Sequence, residues 1–338
     1  METRRLEYSP LLGHDSSVFG VVVDDTSDLL VSCGGNGSII AWELSTGTRK
    51  GSIMQAHTQS VLSIKLNAQY LVSTSKDCTA KIWSRSALEN PGERRLSEPF
   101  PHNVLRSHPA PINDVVLTDS EVITACGDRH IRVFNIDSGA CLRKMSSHEK
   151  PIVSLALSAD GQYIISAGGD ADVVIHHKDS GHAVERLRGH EDLIRAVLVI
   201  PDQNLIVSGS YDETVAIWAF NEDGIWKKER SLDTKETQRT LGLDVKERQR
   251  TLDFTENIRK AVETGAQTAA LSSGRVFCML YRDKKLLCGA GCTIVGWDFS
   301  DDAIIDVDVQ RLRTASSESR KKGKGKGRQL LQHIKDRF

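Results

Sequence analysis

The sequence predicts an all-β fold built from repeated small sheets, and three recurring spacings predict it. An acidic residue or asparagine precedes a bulky ring by six residues in five places: Asn36/Trp42, Asp77/Trp83, Asp128/Phe134, Asp170/His176 and Asp212/Trp218. A hydroxyl stands four residues before each of these: Ser32, Ser73, Thr124, Ser166 and Ser208. A histidine stands 20 or 22 residues before: His14, His57, His108, His148 and His190. Offsets repeated in this way mark an internal repeat.

The units follow in order. The first runs from Gly13 and His14 to Trp42, the second from Ala56 and His57 to Trp83. The third runs from His108 to Phe134, the fourth from His148 to His176, and the fifth from Gly189 and His190 to Trp218. A degenerate sixth runs from Ser273 to Trp297, with Gly291 where the acid belongs. Within units, stretches such as SVLSIKL, YLVSTS and TAKIW alternate like short strands between turn residues. A sheet of four such strands cannot bury both faces alone, so sheets stack around an axis as the blades of a β-propeller. The 26 glycines suit a fold rich in tight turns.

The His, hydroxyl and acid of each unit are the residue types of a catalytic triad, but five copies make no sense for one active site. They read instead as buried polar clamps, in which the turn acid accepts from His, and His reaches the hydroxyl and the Trp N–H. The clamp residues are His14, Ser32 and Trp42; His57, Ser73, Asp77 and Trp83; His108, Thr124 and Asp128; His148, Ser166 and Asp170; His190, Ser208, Asp212 and Trp218; and Trp297. No catalytic residue, metal ligand, cofactor or small-molecule substrate is predicted. Cys33, Cys78, Cys126, Cys141, Cys278, Cys288 and Cys292 are odd in number and form no CxxC pair, so they are expected to be buried, reduced thiols.

The domain plan has four parts. Residues 1–224 hold the first five units, 225–265 a charged insertion, 266–312 the last unit, and 313–338 a basic tail. The insertion contains two related heptapeptides, KETQRTL and KERQRTL, eleven residues apart, near three helical turns. Asp253 with Glu256 is a candidate capping box for a helix ending near Gly265. The insertion is either a solvated excursion or a partner-binding helix. Residues 320–328, RKKGKGKGR, hold six basic residues; removing them from a net charge of −1 leaves the remainder at −7. The tail is a candidate nuclear-localisation or nucleic-acid element, or a solubilising one. No apolar stretch approaches the ~18 residues of a membrane span. The opening METRRLEYSP lacks a signal-peptide core, so the chain is expected in the cytoplasm, the nucleus or both.

Residues 6–312 resemble the WD-repeat family on the GH…D…W offsets, with Asn36, Phe134 and His176 as departures. That family commonly has seven blades, and six units are visible here, so six and seven both stay open. Residues 5–12 and 303–312 each suit the outer strand that closes such a ring. A six-bladed ring needs one of them, so the surplus points to a further blade, upstream or hidden in the insertion.

The turn-bearing rim varies between units, and specificity belongs there. Arg129 follows Asp128, Tyr211 precedes Asp212, Lys150 follows His148 by two, and Arg195 follows His190 by five. Arg275 precedes the first strand of the last unit. Together they form an expected anion-binding ring, since guanidinium forks suit phosphate. The segments ACGDRHIRVFN, IDSGACLRKMSSHEKPI, GHEDLIRAV, VSGSYDETVAIW and SGRVF are similar to the propeller of β-transducin-repeat F-box/WD ubiquitin-ligase receptors. The resemblance implies a doubly phosphorylated degron as ligand. Arg129, Arg195, Tyr211 and Arg275 match that family's contact types, Lys150 replaces an Arg, and Ser17 matches a rim serine. The six units align with the family's second to seventh blades; its first blade and its F-box have no counterpart here. A non-catalytic scaffold binding a phosphopeptide or acidic motif is the leading expectation. A generic WD scaffold and a nucleic-acid-associated protein are the alternatives.

Overall fold

The computed structural model describes residues 11–86, 101–200, 205–220, 226–234, 276–282, 285–290 and 293–298, with only the backbone followed in the last three stretches. Among them are five four-stranded antiparallel sheets and one three-stranded sheet, all joined by sequential strands. The first sheet holds β1 (Val18–Asp24), β2 (Leu29–Gly34), β3 (Ile39–Glu43) and β4 (Arg49–Ile53). The second holds β5 (Val61–Leu66), β6 (Tyr70–Ser75), β7 (Ala80–Ser84) and β8 (Asn103–Leu105). The third holds β9 (Ile112–Leu117), β10 (Glu121–Cys126), β11 (His130–Asn135) and β12 (Cys141–Ser146). In the fourth are β13 (Ile152–Leu157), β14 (Tyr163–Gly168), β15 (Asp172–His177) and β16 (Ala183–Arg188). In the fifth are β17 (Ile194–Ile200), β18 (Leu205–Ser210), β19 (Thr214–Phe220) and β20 (Trp226–Asp233). The last has β21 (Val276–Arg282), β22 (Lys285–Ala290) and β23 (Thr293–Asp298). Almost no helix accompanies them; one 3-10 turn spans Asp25–Ser27.

The chain divides into two compact units, Met1–Leu155 and Ala156–Phe338. In the first, Leu29, Val31, Cys33, Ile39 and Ala41 of one sheet pack with Val61 and Ile64 of the next. The same arrangement joins Val72, Ala80 and Ile82 to Ile112 and Val115. In the second unit, Ile165, Ala167, Val173 and Ile175 pack with Ile194 and Val197. Middle strands β3 and β15 are covered on both faces, so they read as the continuous apolar runs IIAW and VVI rather than as alternation. The first strand departs from its relatives: Val18 and Val21 are 48% and 55% exposed, where their register equivalents Val61 and Ile64 are 0% and 3%.

The expected insertion begins one strand too early. Trp226–Asp233 is β20, paired along β19 from Thr214↔Asp233 to Phe220↔Trp226. It is the outermost strand, with residues 227–231 all exposed, so WKKERSLD carries no apolar alternation and resembles a solvated loop. The heptapeptides, the capping box, the closing-strand candidate 303–312, all but the last two residues of the candidate 5–12, and the basic tail lie outside the described residues. No helix among the described residues is long and apolar enough to cross a membrane.

Candidate functional site: turn clamps and turn tips

In the second sheet the clamp residues stand together. His57 Nδ1 is 2.9 Å from Asp77 Oδ2 and Nε2 is 2.8 Å from Ser73 Oγ, and Trp83 Nε1 donates to the same oxygen at 2.8 Å. Burial pulls the His57 pKa down, so the ring is neutral. Nδ1–H then donates to Asp77, Nε2 accepts from the Ser73 hydroxyl, and Ser73 accepts from Trp83: every polar atom has its partner. Burial pushes the Asp77 carboxyl up, but the hydrogen bonds from His57 and Thr79 outweigh it and hold it well below the usual range. The fifth sheet repeats the arrangement: His190 to Asp212 at 2.7 Å, His190 to Ser208 at 2.8 Å, and Trp218 to Ser208 at 2.8 Å.

A hydroxyl two residues beyond the turn acid belongs to the clamp and was not expected. Thr79 Oγ1 donates to Asp77 at 2.6 Å and Thr214 Oγ1 to Asp212 at 2.7 Å. In the first sheet the hydroxyl is indispensable to the link. His14 and Trp42 meet at Ser32, each at 2.8 Å, but Asn36 reaches His14 only through Ser38, 2.6 Å from Asn36 and 3.2 Å from His14.

The third sheet departs from the expected clamp. His108 Nε2 is 2.9 Å from Thr124 Oγ1, but Asp128 makes no bond to His108. Arg132 takes the carboxylate instead, with Nη1 at 3.0 Å and Nη2 at 2.5 Å. A charged fork outcompetes a neutral imidazole N–H for a carboxylate. His108 Nδ1 is left buried and without a hydrogen bond. Burial and the Arg132 charge bring the His108 pKa down to about 4. At the same register in the second sheet, Lys81 turns away to the Ala56 carbonyl at 2.5 Å, which leaves Asp77 to His57.

In the fourth sheet His148 and His176 are buried, and Ser166 Oγ donates to the Val174 carbonyl at 3.2 Å. Asp170 stands 3.9 Å from Arg186, which pairs with Asp172 at 2.6 Å. Trp297 lies on β23 opposite Leu286, as Trp83 lies opposite Leu71.

The residue after the turn acid has the left-handed conformation in all five sheets: Gly37 (φ 82°), Cys78 (66°), Arg129 (74°), Ala171 (64°) and Glu213 (70°). Arg129 thus projects from a turn tip and is exposed, and Lys150 and Ser17 are exposed as well. Arg195 is the unpaired residue of a bulge between Ile194 and Ala196 in β17, a position that re-aims a side chain. Tyr211 is half-buried beside Asp212, and Arg275 lies outside the described residues.

Four free cysteines are described. Burial pushes Cys33 up to about 12 and Cys126 up to about 11, as inert thiols should be. Cys141 is exposed, contrary to expectation, because it opens the outermost strand of its sheet. Among the described residues no group of three or more His, Cys, Asp or Glu is placed to hold a metal.

A further carboxylate sits outside the clamps. Asp114 on β9 accepts from Ser63 of the second sheet at 2.9 Å, and from Leu155 N at 2.9 Å and Ser154 Oγ at 3.3 Å on β13. One side chain therefore ties β5, β9 and β13.

Comparison with known proteins agrees with this architecture. The family model "WD domain, G-beta repeat" matches residues 6–43, 48–84, 139–177 and 181–219. The clamp strands of the third sheet, where the carboxylate is diverted, fall outside these segments. WD repeat-containing protein pop1 of Schizosaccharomyces pombe is 26% identical over 40% of this chain and 22% of its own length. Mouse striatin is 25% identical over 46% of the chain and 20% of its own length. Transcription initiation factor TFIID subunit 5 of Caenorhabditis elegans is 24% identical over 45% and 22%. The chain spans about a fifth of the length of each. Four segments of this chain match the WD-repeat model, and the WD-repeat family is the one that its spacings, its sheets and these relatives together support.

Proposed function

We propose that the chain is a non-catalytic scaffold whose turn tips bind an acidic, doubly phosphorylated peptide. The observation that carries this reading is Arg129: an exposed cation at a left-handed position on a turn tip. Gly37, Cys78, Ala171 and Glu213 hold the equivalent position in the other four-stranded sheets, so Arg129 is the cation that this register presents. Lys150 is a second exposed cation of the same compact unit. Ser17, Arg195, Tyr211 and Arg275 are proposed in the same role. Kinship to ubiquitin-ligase receptors would give such binding a purpose. The generic-scaffold reading differs in requiring no phosphate.

Matched peptides with and without two phosphates, titrated against wild type and Arg129→Ala, test the proposal. Each phosphate brings about −1.5 to −2 charge at neutral pH. The phosphorylated peptide should bind the wild type tighter, and Arg129→Ala should remove a charge-assisted bond of about 1.5–3 kcal/mol. Equal affinity in all four combinations leaves the generic scaffold standing.

A further inference from the structure

We infer that Arg132 is a positioning residue that holds the Arg129 turn ready for an anionic ligand; the inference rests on the phosphopeptide reading above. In the second and fifth sheets, beside backbone N–H donors, two side chains pin the turn acid. They are the histidine of the clamp and the hydroxyl two residues on, Thr79 or Thr214. The third sheet has neither. His130 replaces the hydroxyl, with its backbone N–H donating to Asp128 Oδ1 at 3.3 Å and its Nδ1 standing 3.3 Å from Oδ2, and His108 does not reach Asp128. Both Arg132 Nη atoms bind the two Asp128 oxygens, at 3.0 and 2.5 Å, closer than either His130 contact, so this fork is the main hold on the acid. Arg132 is 4% exposed and already committed to this pair, which excludes it as a ligand contact. Its neighbour in the turn is the exposed Arg129, whose N–H closes the turn on the Cys126 carbonyl at 3.1 Å.

The departure from the repeat thus coincides with the turn that presents the cation. A buried histidine is left with an unpaired nitrogen so that the acid can serve this turn. Such a local violation, offset by gain elsewhere, is expected at functional positions. A pinned turn binds more tightly because less freedom is lost on binding.

The test compares wild type, Arg132→Lys and the double variant His130→Thr/Arg132→Lys. Lysine at this register is tolerated in the second sheet, where Lys81 leaves Asp77 alone, and the double variant rebuilds that sheet's hydroxyl pin with unchanged formal charge. Two readouts are taken: hydrogen exchange at the Arg129 amide and affinity for the doubly phosphorylated peptide. Arg132→Lys should speed exchange and weaken binding roughly tenfold, and the double variant should restore both. Unchanged exchange in Arg132→Lys overturns the positioning role. Faster exchange with wild-type phosphopeptide affinity overturns its link to the ligand. If the wild type binds both peptide forms equally, the phosphopeptide reading itself has failed, and exchange alone then decides whether Arg132 holds the turn.

Discussion

Gly37→Ala should lower the unfolding free energy by about 3 kcal/mol, through left-handed strain of roughly 1–2 and overpacking of roughly 1–3. Strain alone is tolerated, since Cys78, Ala171 and Glu213 adopt the same conformation with side chains. What sets Gly37 apart is the backbone of the next sheet. A Cβ there would collide with the His57 carbonyl oxygen and press on the Gln59 carbonyl at 3.2 Å. The Gly37 carbonyl meanwhile accepts from the His57 N–H at 3.1 Å, so relief of the clash would break a bond at the clamp histidine. Urea unfolding of Gly37→Ala beside Cys78→Gly makes the comparison. The first midpoint should fall clearly and the second hardly move. A wild-type midpoint for Gly37→Ala would contradict the close approach.

Asp114→Ala should cost a similar amount, about 3 kcal/mol. Its carboxylate accepts from the Ser63 hydroxyl, the Leu155 N–H and the Ser154 hydroxyl, and Ser154 is 7% exposed. Truncation removes this acceptor from the buried Ser154 and Leu155 and from the half-buried Ser63, and the penalty of leaving a buried donor without its acceptor is larger than the net gain of the bond it lost. Asp114→Asn keeps one acceptor oxygen and should fall between the two. A loss under 1 kcal/mol for Asp114→Ala would show that β5, β9 and β13 do not depend on this carboxylate.

These two residues differ in how far the sequence revealed them. The first three strands of the second sheet follow from alternation and turn residues because each is short and flanked by Asn, Ser or Asp. β20 does not, because an outermost strand exposed on both sides needs no apolar residue. The hydroxyl, His and ring of the clamps were legible as fixed offsets. The +2 hydroxyl was equally available, in NGS, DCT and DET, and so was Asp114. It stands six residues after His108, as Ser63 does after His57 and Ser154 after His148. An acid at that offset in the apolar strand INDVVL is itself a signal. The diversion of Asp128 was not legible: Arg132 and Lys81 share a register and a charge, and only guanidinium geometry separates their choice of acceptor.

One spacing encoding the same clamp in the second and fifth sheets, with the third sheet turned to another use, is most directly tested by double-mutant cycles. Alanine substitutions at His57 and Asp77 should show a coupling of about 1–3 kcal/mol, and so should Asp128 and Arg132. His108 and Asp128 should couple by less than about 0.5 kcal/mol, although they occupy the same offsets as His57 and Asp77. A His108–Asp128 coupling as large as that of His57–Asp77 would contradict the account.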